Sequence, residues 1–99
     1  MDMDFIIEEN RIYAENEAKL LLAEVTFPTR DDLRLDINHV YVDESLRGQG
    51  IASHLMELAY QEIKSRGKKI VAKCPYAISW FKKHEDYQDI VINVKTKRI

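Results

Sequence analysis

The sequence predicts a single small α/β domain in which antiparallel N-terminal strands are followed by a β-α-β-α half. Three observations predict it. The chain has 99 residues, enough for one small hydrophobic core and too few for a second. Apolar and polar residues alternate through much of its first part, as where Leu33, Leu35 and Ile37 interleave with Arg34, Asp36 and Asn38, the period of a strand with one buried face. Farther on the period becomes helical, with Ala52, Leu55, Met56, Ala59 and Ile63 on one stripe.

Taken in order, Arg11 to Glu15 reads as a short strand, and Asn16-Glu17 as a turn into a second strand from Ala18 to Phe27, which Pro28 closes. Leu21, Ala23, Val25 and Phe27 share one face of that strand, and Leu20 and Leu22 share the other with Glu24 and Thr26. Asp31-Asp32 turns the chain into a third strand, and the hairpin order predicts antiparallel pairing. Strict alternation would place His39 and Tyr41 on the apolar face and Val40 and Val42 on the polar one. The pattern therefore changes near Asn38-His39, which a β-bulge or burial of both faces explains. The long helix follows, with Gly67 where a C-terminal cap belongs. A brief strand from Lys69 to Lys73, a second helix from about Tyr76 to Lys83 and a last strand from Ile90 to Val94 complete the order β-β-β-α-β-α-β. Trp80 and Phe81, with Tyr76 at helical spacing from Trp80, form an aromatic stripe expected in the core.

Composition removes several function classes. Fifteen Lys and Arg against seventeen Asp and Glu give a formal net charge of −2, which argues against a surface built to collect the phosphates of a nucleic acid. No apolar stretch approaches the length of a membrane span, and a lone Cys makes no internal disulfide. The start, Met1-Asp2-Met3-Asp4, is acidic where a secretory or mitochondrial leader is basic, so the cytoplasm is the expected compartment. Three His and one Cys show no recognised metal-ligand spacing, so no metal site is expected.

The informative stretch runs from Val40 to Ala52, out of a strand, through a loop holding two of the chain's three glycines, and into the long helix. Glycine allows close approach of a ligand to the backbone, and a helix N-terminus presents unpaired N–H groups with the positive end of its dipole. The combination favours an anion, most naturally a pyrophosphate, and Arg47 adds a permanent cation. A plain strand-to-helix connection with an exposed Arg accounts for the same residues. The loop lacks the Gly-Lys-Ser/Thr of nucleotide hydrolases and the third glycine of a dinucleotide fold.

Arg47-x-x-Gly50-x-Ala52, with Val42 before it, resembles the acetyl-CoA signature of the GCN5-related N-acetyltransferase family. Leu46-Arg47-Gly48-Gln49-Gly50-Ile51-Ala52, then Cys74-Pro75-Tyr76, then His84-Glu85-Asp86-Tyr87-Gln88-Asp89 resemble its minimal single-domain branch, and the likeness runs from Arg11 to Val91. The resemblance implies one acetyl-CoA-binding domain over 1–99 with a minimal acyl-CoA N-acyltransferase fold. Backbone groups at Val40, Tyr41 and Val42 would pair with the pantetheine arm beside a strand bulge. Arg47, Gly48, Gln49, Gly50, Ile51, Ala52 and Ser53 would wrap the pyrophosphate, and Cys74 would lie near the thioester. The implied activity is acetyl transfer from acetyl-CoA to an unidentified amine.

Such transfer needs a neutral amine, a polarised carbonyl and a proton for the departing thiolate. Larger members carry N-x-x-A-x-x-x-Y, whose Tyr protonates the sulfur. Here Cys74-x-x-Ala77-x-x-x-Phe81 stands in that frame, and Phe81 has no proton to give. Cys74, at a helix start beside Lys73, reads as a nucleophile that relays the acetyl group, as a thiol that pairs with CoA, or as a small buried residue. His39 reads as a core or rim residue, as the base for the incoming amine, or as a partner for Cys74. His54 is open to either a surface or a phosphate-facing place, and His84 is expected to cap helix carbonyls. A CoA-binding sensor or interaction module without efficient transfer is the alternative that Phe81 favours.

Overall fold

The structure, a computed structural model, describes residues 3–96. Its strands are β1 (Ile6–Ile7), β2 (Arg11–Glu15), β3 (Leu21–Thr26), β4 (Arg34–Ile37), β5 (His39–Val42) and β6 (Lys69–Ala72), and its helices are α1 (Ile51–Ser65) and α2 (Pro75–Lys83). Single 3-10 turns at Glu44–Leu46 and Glu85–Tyr87 precede α1 and follow α2. An antiparallel sheet in the order β1-β2-β3-β5 lies beside a two-stranded parallel pair, β4-β6. This is the small α/β architecture expected, with a short added strand at Ile6–Ile7.

Three expectations are corrected. The third strand does not continue the antiparallel sheet. It divides at Asn38, so that β4 runs parallel to β6 while β5 pairs with β3. Asn38 is the reason. Its N–H donates to the Thr26 carbonyl at 3.3 Å although His39 is the residue in register with Thr26, so two residues oppose one. That bulge reverses the facing of everything after it. Val40 and Val42 consequently pack toward the core, and His39 and Tyr41 turn to the polar face. The second strand starts later than predicted, at Leu21, because the Asn16 side chain accepts from the N–H groups of Ala18 and Leu20 while Lys19 takes a left-handed φ of 66°. Leu20 is exposed accordingly, and Leu33, expected on the buried face with Leu35 and Ile37, is exposed because the Asp31 carboxylate holds its N–H in the turn before β4 begins at Arg34. The last strand, Ile90 to Val94, does not form. Val91 makes one isolated bridge to Ile70, and the Asn93 side chain closes the next position by accepting from the Ala72 N–H and donating to its carbonyl, at 2.9 and 2.8 Å.

The core lies between the apolar face of the antiparallel sheet, Ile12, Ala23, Val25 and Phe27, and the α1 stripe of Leu55, Met56, Ala59 and Ile63. Each fully buried large side chain contributes about 1.5–3 kcal/mol by leaving water. Helix α1 ends as Gly67 predicts: at φ 71° its N–H reaches Lys64 C=O and the Lys68 N–H reaches Ile63 C=O, the paired bonds of a glycine C-cap. Helix α2 begins at Pro75, whose missing N–H costs nothing in a first turn, and Ala77, Trp80 and Phe81 bury against the same core.

Candidate active site

The site forms where β4 and β5 part. Ile37 C=O accepts from the N–H groups of Lys73 and Cys74 at 2.8 and 3.3 Å, which ties the ends of β4 and β6 together. Beyond Asn38 the chain joins β3 instead, so β5 becomes an edge strand with one side of its backbone turned away from the sheet. The Asp43 N–H bonds the Leu22 carbonyl at 2.7 Å, which fixes the phase of the β3–β5 ladder. By the alternation of an antiparallel pair, Tyr41 also turns its backbone groups to β3, and Val40 and Val42 turn theirs to the open edge. A cavity of about 340 Å³ lies along that edge, lined by Val40, Tyr41, Val42, Arg47, Ala52 and Tyr76. A second of about 240 Å³ adjoins it, sharing Val42, Arg47, Ala52 and Tyr76 and reaching Gly48, Gly50, Ile51 and Ser53.

The loop into α1 is built from short local bonds. The Asp43 carboxylate accepts from the Ser45 N–H and hydroxyl, and these bonds, the hydroxyl's first, hold its pKa below the ordinary Asp value. Arg47 folds back so that its Nε donates to Val42 C=O at 3.3 Å. Gly48 and Gly50 sit at φ 82° and 78°, conformations that cost a side-chain-bearing residue about 1–2 kcal/mol. Gly50 is the N-cap of α1 and offers no side chain, and the helix's first internal bond runs from the His54 N–H to Gly50 C=O. The N–H groups of Ile51, Ala52 and Ser53 are therefore left at the helix mouth. Ser53 Oγ accepts from Trp80 Nε1 at 2.7 Å, which locks α2 to α1 and leaves the Ser53 hydroxyl hydrogen free to donate. Gln49 lines an adjoining hollow with Met3, Asp4, Phe5 and His54, which shares Gly50 and Ile51 with the second cavity.

Cys74 is half-buried as the N-cap of α2, its Sγ accepting from the Ala77 N–H at 3.4 Å. His39 lies on the exposed sheet face rather than with Leu35 and Ile37, and its charged neighbour there is Glu24, with Nε2 3.8 Å from Oε1. Phe81 is fully buried, so the frame position that holds a Tyr in larger members is core in this chain. Tyr76, expected in the core, instead stands 41% exposed at the cleft and lines both cavities. Burial of its ring, and secondarily the charge of Cys74, raise its hydroxyl pKa above the ordinary tyrosine value. Sequence reasoning missed this residue because helical spacing to Trp80 does not report that the first turn of α2 overhangs the sheet edge. His84 does cap, its Nδ1 2.6 Å from Trp80 C=O and its ring stacked on the indole at 4.0 Å. His54 is exposed, with its ring 5.5 Å from Phe5.

The family model for GCN5-related N-acetyl-transferases matches residues 11–90 of the chain. Among solved structures, a GCN5-like protein from Staphylococcus aureus superposes with a TM-score of 0.78 at 27% identity, covering 94% of this chain and 91% of its own. A ribosomal-protein-alanine N-acetyltransferase from Brucella melitensis biovar Abortus 2308 shares the fold at a TM-score of 0.57 and 22% identity. That match covers 90% of this chain and 64% of the larger one. Among curated protein sequences none matches significantly.

Proposed function

Because this chain belongs to the GCN5-related N-acetyl-transferase family, we propose that it binds acetyl-CoA along the open edge of β5 and transfers the acetyl group to a primary amine. The observation that carries this reading is the continuity of the cleft. The outward-facing backbone edge at Val40 and Val42, where Arg47 Nε already holds the Val42 carbonyl, leads directly to Arg47, Gly48, Gly50 and the uncapped start of α1. The donor set fits a diphosphate followed by an amide-bearing arm: a guanidinium and helix N–H groups at one end, alternating strand N–H and C=O groups at the other. When bound, acetyl-CoA supplies an activated acyl carbon.

The chain's own groups then divide the work. His39, exposed at the start of β5, takes the proton of the attacking amine. Tyr76 keeps its proton at working pH and gives it to the departing thiolate, the role Phe81 does not fill. Cys74, the N-cap of α2 two residues before Tyr76, accepts the acetyl group transiently or lines the thioester. Release of CoA thiol from acetyl-CoA in the presence of lysine peptides and small primary amines is the test of transfer, and stimulation by at least one amine class is expected. If Cys74 relays the group, intact-protein mass after acetyl-CoA incubation gains one acetyl in the wild type and none in Cys74→Ala. An unmodified wild type assigns Cys74 to the wall of the site.

A second reading, a CoA-binding sensor without turnover, draws on the burial of Phe81. It predicts acetyl-CoA binding with no amine-stimulated thiol release.

A further inference from the structure

We propose that Glu24 is a positioning residue for His39, held in place by Arg11, and that the three form a relay across adjacent strands on the sheet face away from the helices. The proposal rests on the reading of His39 as the base. In the sheet register Glu24 of β3 stands between Tyr13 of β2 and Tyr41 of β5, and Thr26, next on the same face, stands opposite His39. The face is polar, yet the Glu24 side chain is only 12% exposed. A carboxylate so covered needs its oxygens engaged. Oε2 accepts from Arg11 Nη1 at 2.9 Å, whereas Oε1 is turned toward His39 Nε2 at 3.8 Å.

Arg11 is itself fixed from two other sides. Its Nε donates to Glu8 Oε1 at 2.8 Å, and its guanidinium lies 3.6 Å over the centre of the Tyr13 ring. A stacked, doubly bonded guanidinium has little freedom, so the Glu24 oxygen that it does not hold keeps one direction. Two carboxylates around one guanidinium leave one negative charge, and the Glu24 oxygen offers it to the imidazole. With Nε2 facing that carboxylate, Nδ1 is the nitrogen left to accept a proton. In the transfer step the amine nitrogen forms a bond to the acyl carbon, the carbon–sulfur bond breaks toward the thiolate, and the amine proton passes to His39. The imidazolium that results faces Glu24.

The test is a double-mutant cycle on amine-stimulated CoA release, measured with the amine class that the wild type acetylates. Glu24→Gln keeps the size and the Arg11 contact and lowers kcat about tenfold, leaving acetyl-CoA affinity and Tm within error. In a His39→Ala background the same substitution produces no further loss, which a merely structural role would not give. Arg11→Gln, which frees Glu24 without removing its charge, lowers kcat less and also only when His39 is present. An equal loss from Glu24→Gln in both backgrounds overturns the relay and leaves the base assignment standing. Full activity in His39→Ala overturns the base and the relay with it, and a wild type that turns over no amine overturns the transfer reading on which both depend.

Discussion

Tyr76 and Phe81 differ in a way that residue type alone does not reveal. Both stand on α2, yet Phe81 faces inward with Trp80 while Tyr76 overhangs the edge of β5. A phenol half-shielded beside a thiol retains its proton, which suits it to protonate a leaving sulfur. Tyr76→Phe should therefore lower kcat by roughly 10²-fold while the acetyl-CoA Kd changes little, since the ring remains as a wall. Steady-state kinetics beside calorimetric binding check this, and unchanged kcat would remove Tyr76 from the chemistry. Residues 40–42 and 47–53 could be grouped in advance only through the family resemblance, because a plain strand-to-helix connection accounts for the two glycines equally well; the structure brings Val40 to Val42, Arg47, Gly48, Gly50, Ile51, Ala52 and Ser53 around one cleft. Tyr76 was not legible, because its exposure depends on how the two helices pack.

At the scale of elements, the bulge at Asn38 and the uncapped start of α1 decide the site. The broken alternation at Asn38-His39 announced the first, and it explains why the Val40 and Val42 side chains turn inward while their backbone groups face the sheet edge. What alternation does not state is the strand to which β4 then turns. Its parallel pairing with β6 depends on the α1 crossover, a contact between positions far apart in sequence. The missing last strand has a similar cause, since the Asn93 amide replaces the backbone ladder and no local pattern distinguishes a side chain that does so. At the start of α1 no atom lies within 4 Å of where a Gly50 Cβ would be, so the chain has room for one. Gly50→Ala should cost about 1–2 kcal/mol through φ alone. It should also weaken acetyl-CoA binding beyond the loss of stability, because the new methyl stands where a phosphate approaches. Thermal melts with and without acetyl-CoA separate the two effects, and an unaltered ligand-induced shift would place the ligand elsewhere.

The whole molecule joins two helices and a divided sheet through one core. Trp80 Nε1 to Ser53 Oγ fastens α2 to α1 beside the cleft, and the bonds of Tyr60 and Lys64 to Asp89 tie α1 to the segment that follows α2. Trp80→Phe removes the first and part of the stack on His84. It should lower stability by about 1–2 kcal/mol and loosen the cleft, seen as a lower denaturant midpoint with an unchanged m-value. Retained stability would mean that Ser53 and Trp80 do not set the spacing. Among the described residues no helix is long and apolar enough to cross a membrane. The central claim is that one continuous surface, from Val40 to Ser53, receives acetyl-CoA. Backbone amide NMR during an acetyl-CoA titration tests it most directly. The account predicts saturable shifts concentrated at Val40, Val42, Arg47, Gly48, Gly50, Ile51, Ala52 and Ser53, with Tyr76 opposite. Shifts confined to any other face, or none at millimolar acetyl-CoA, would contradict it.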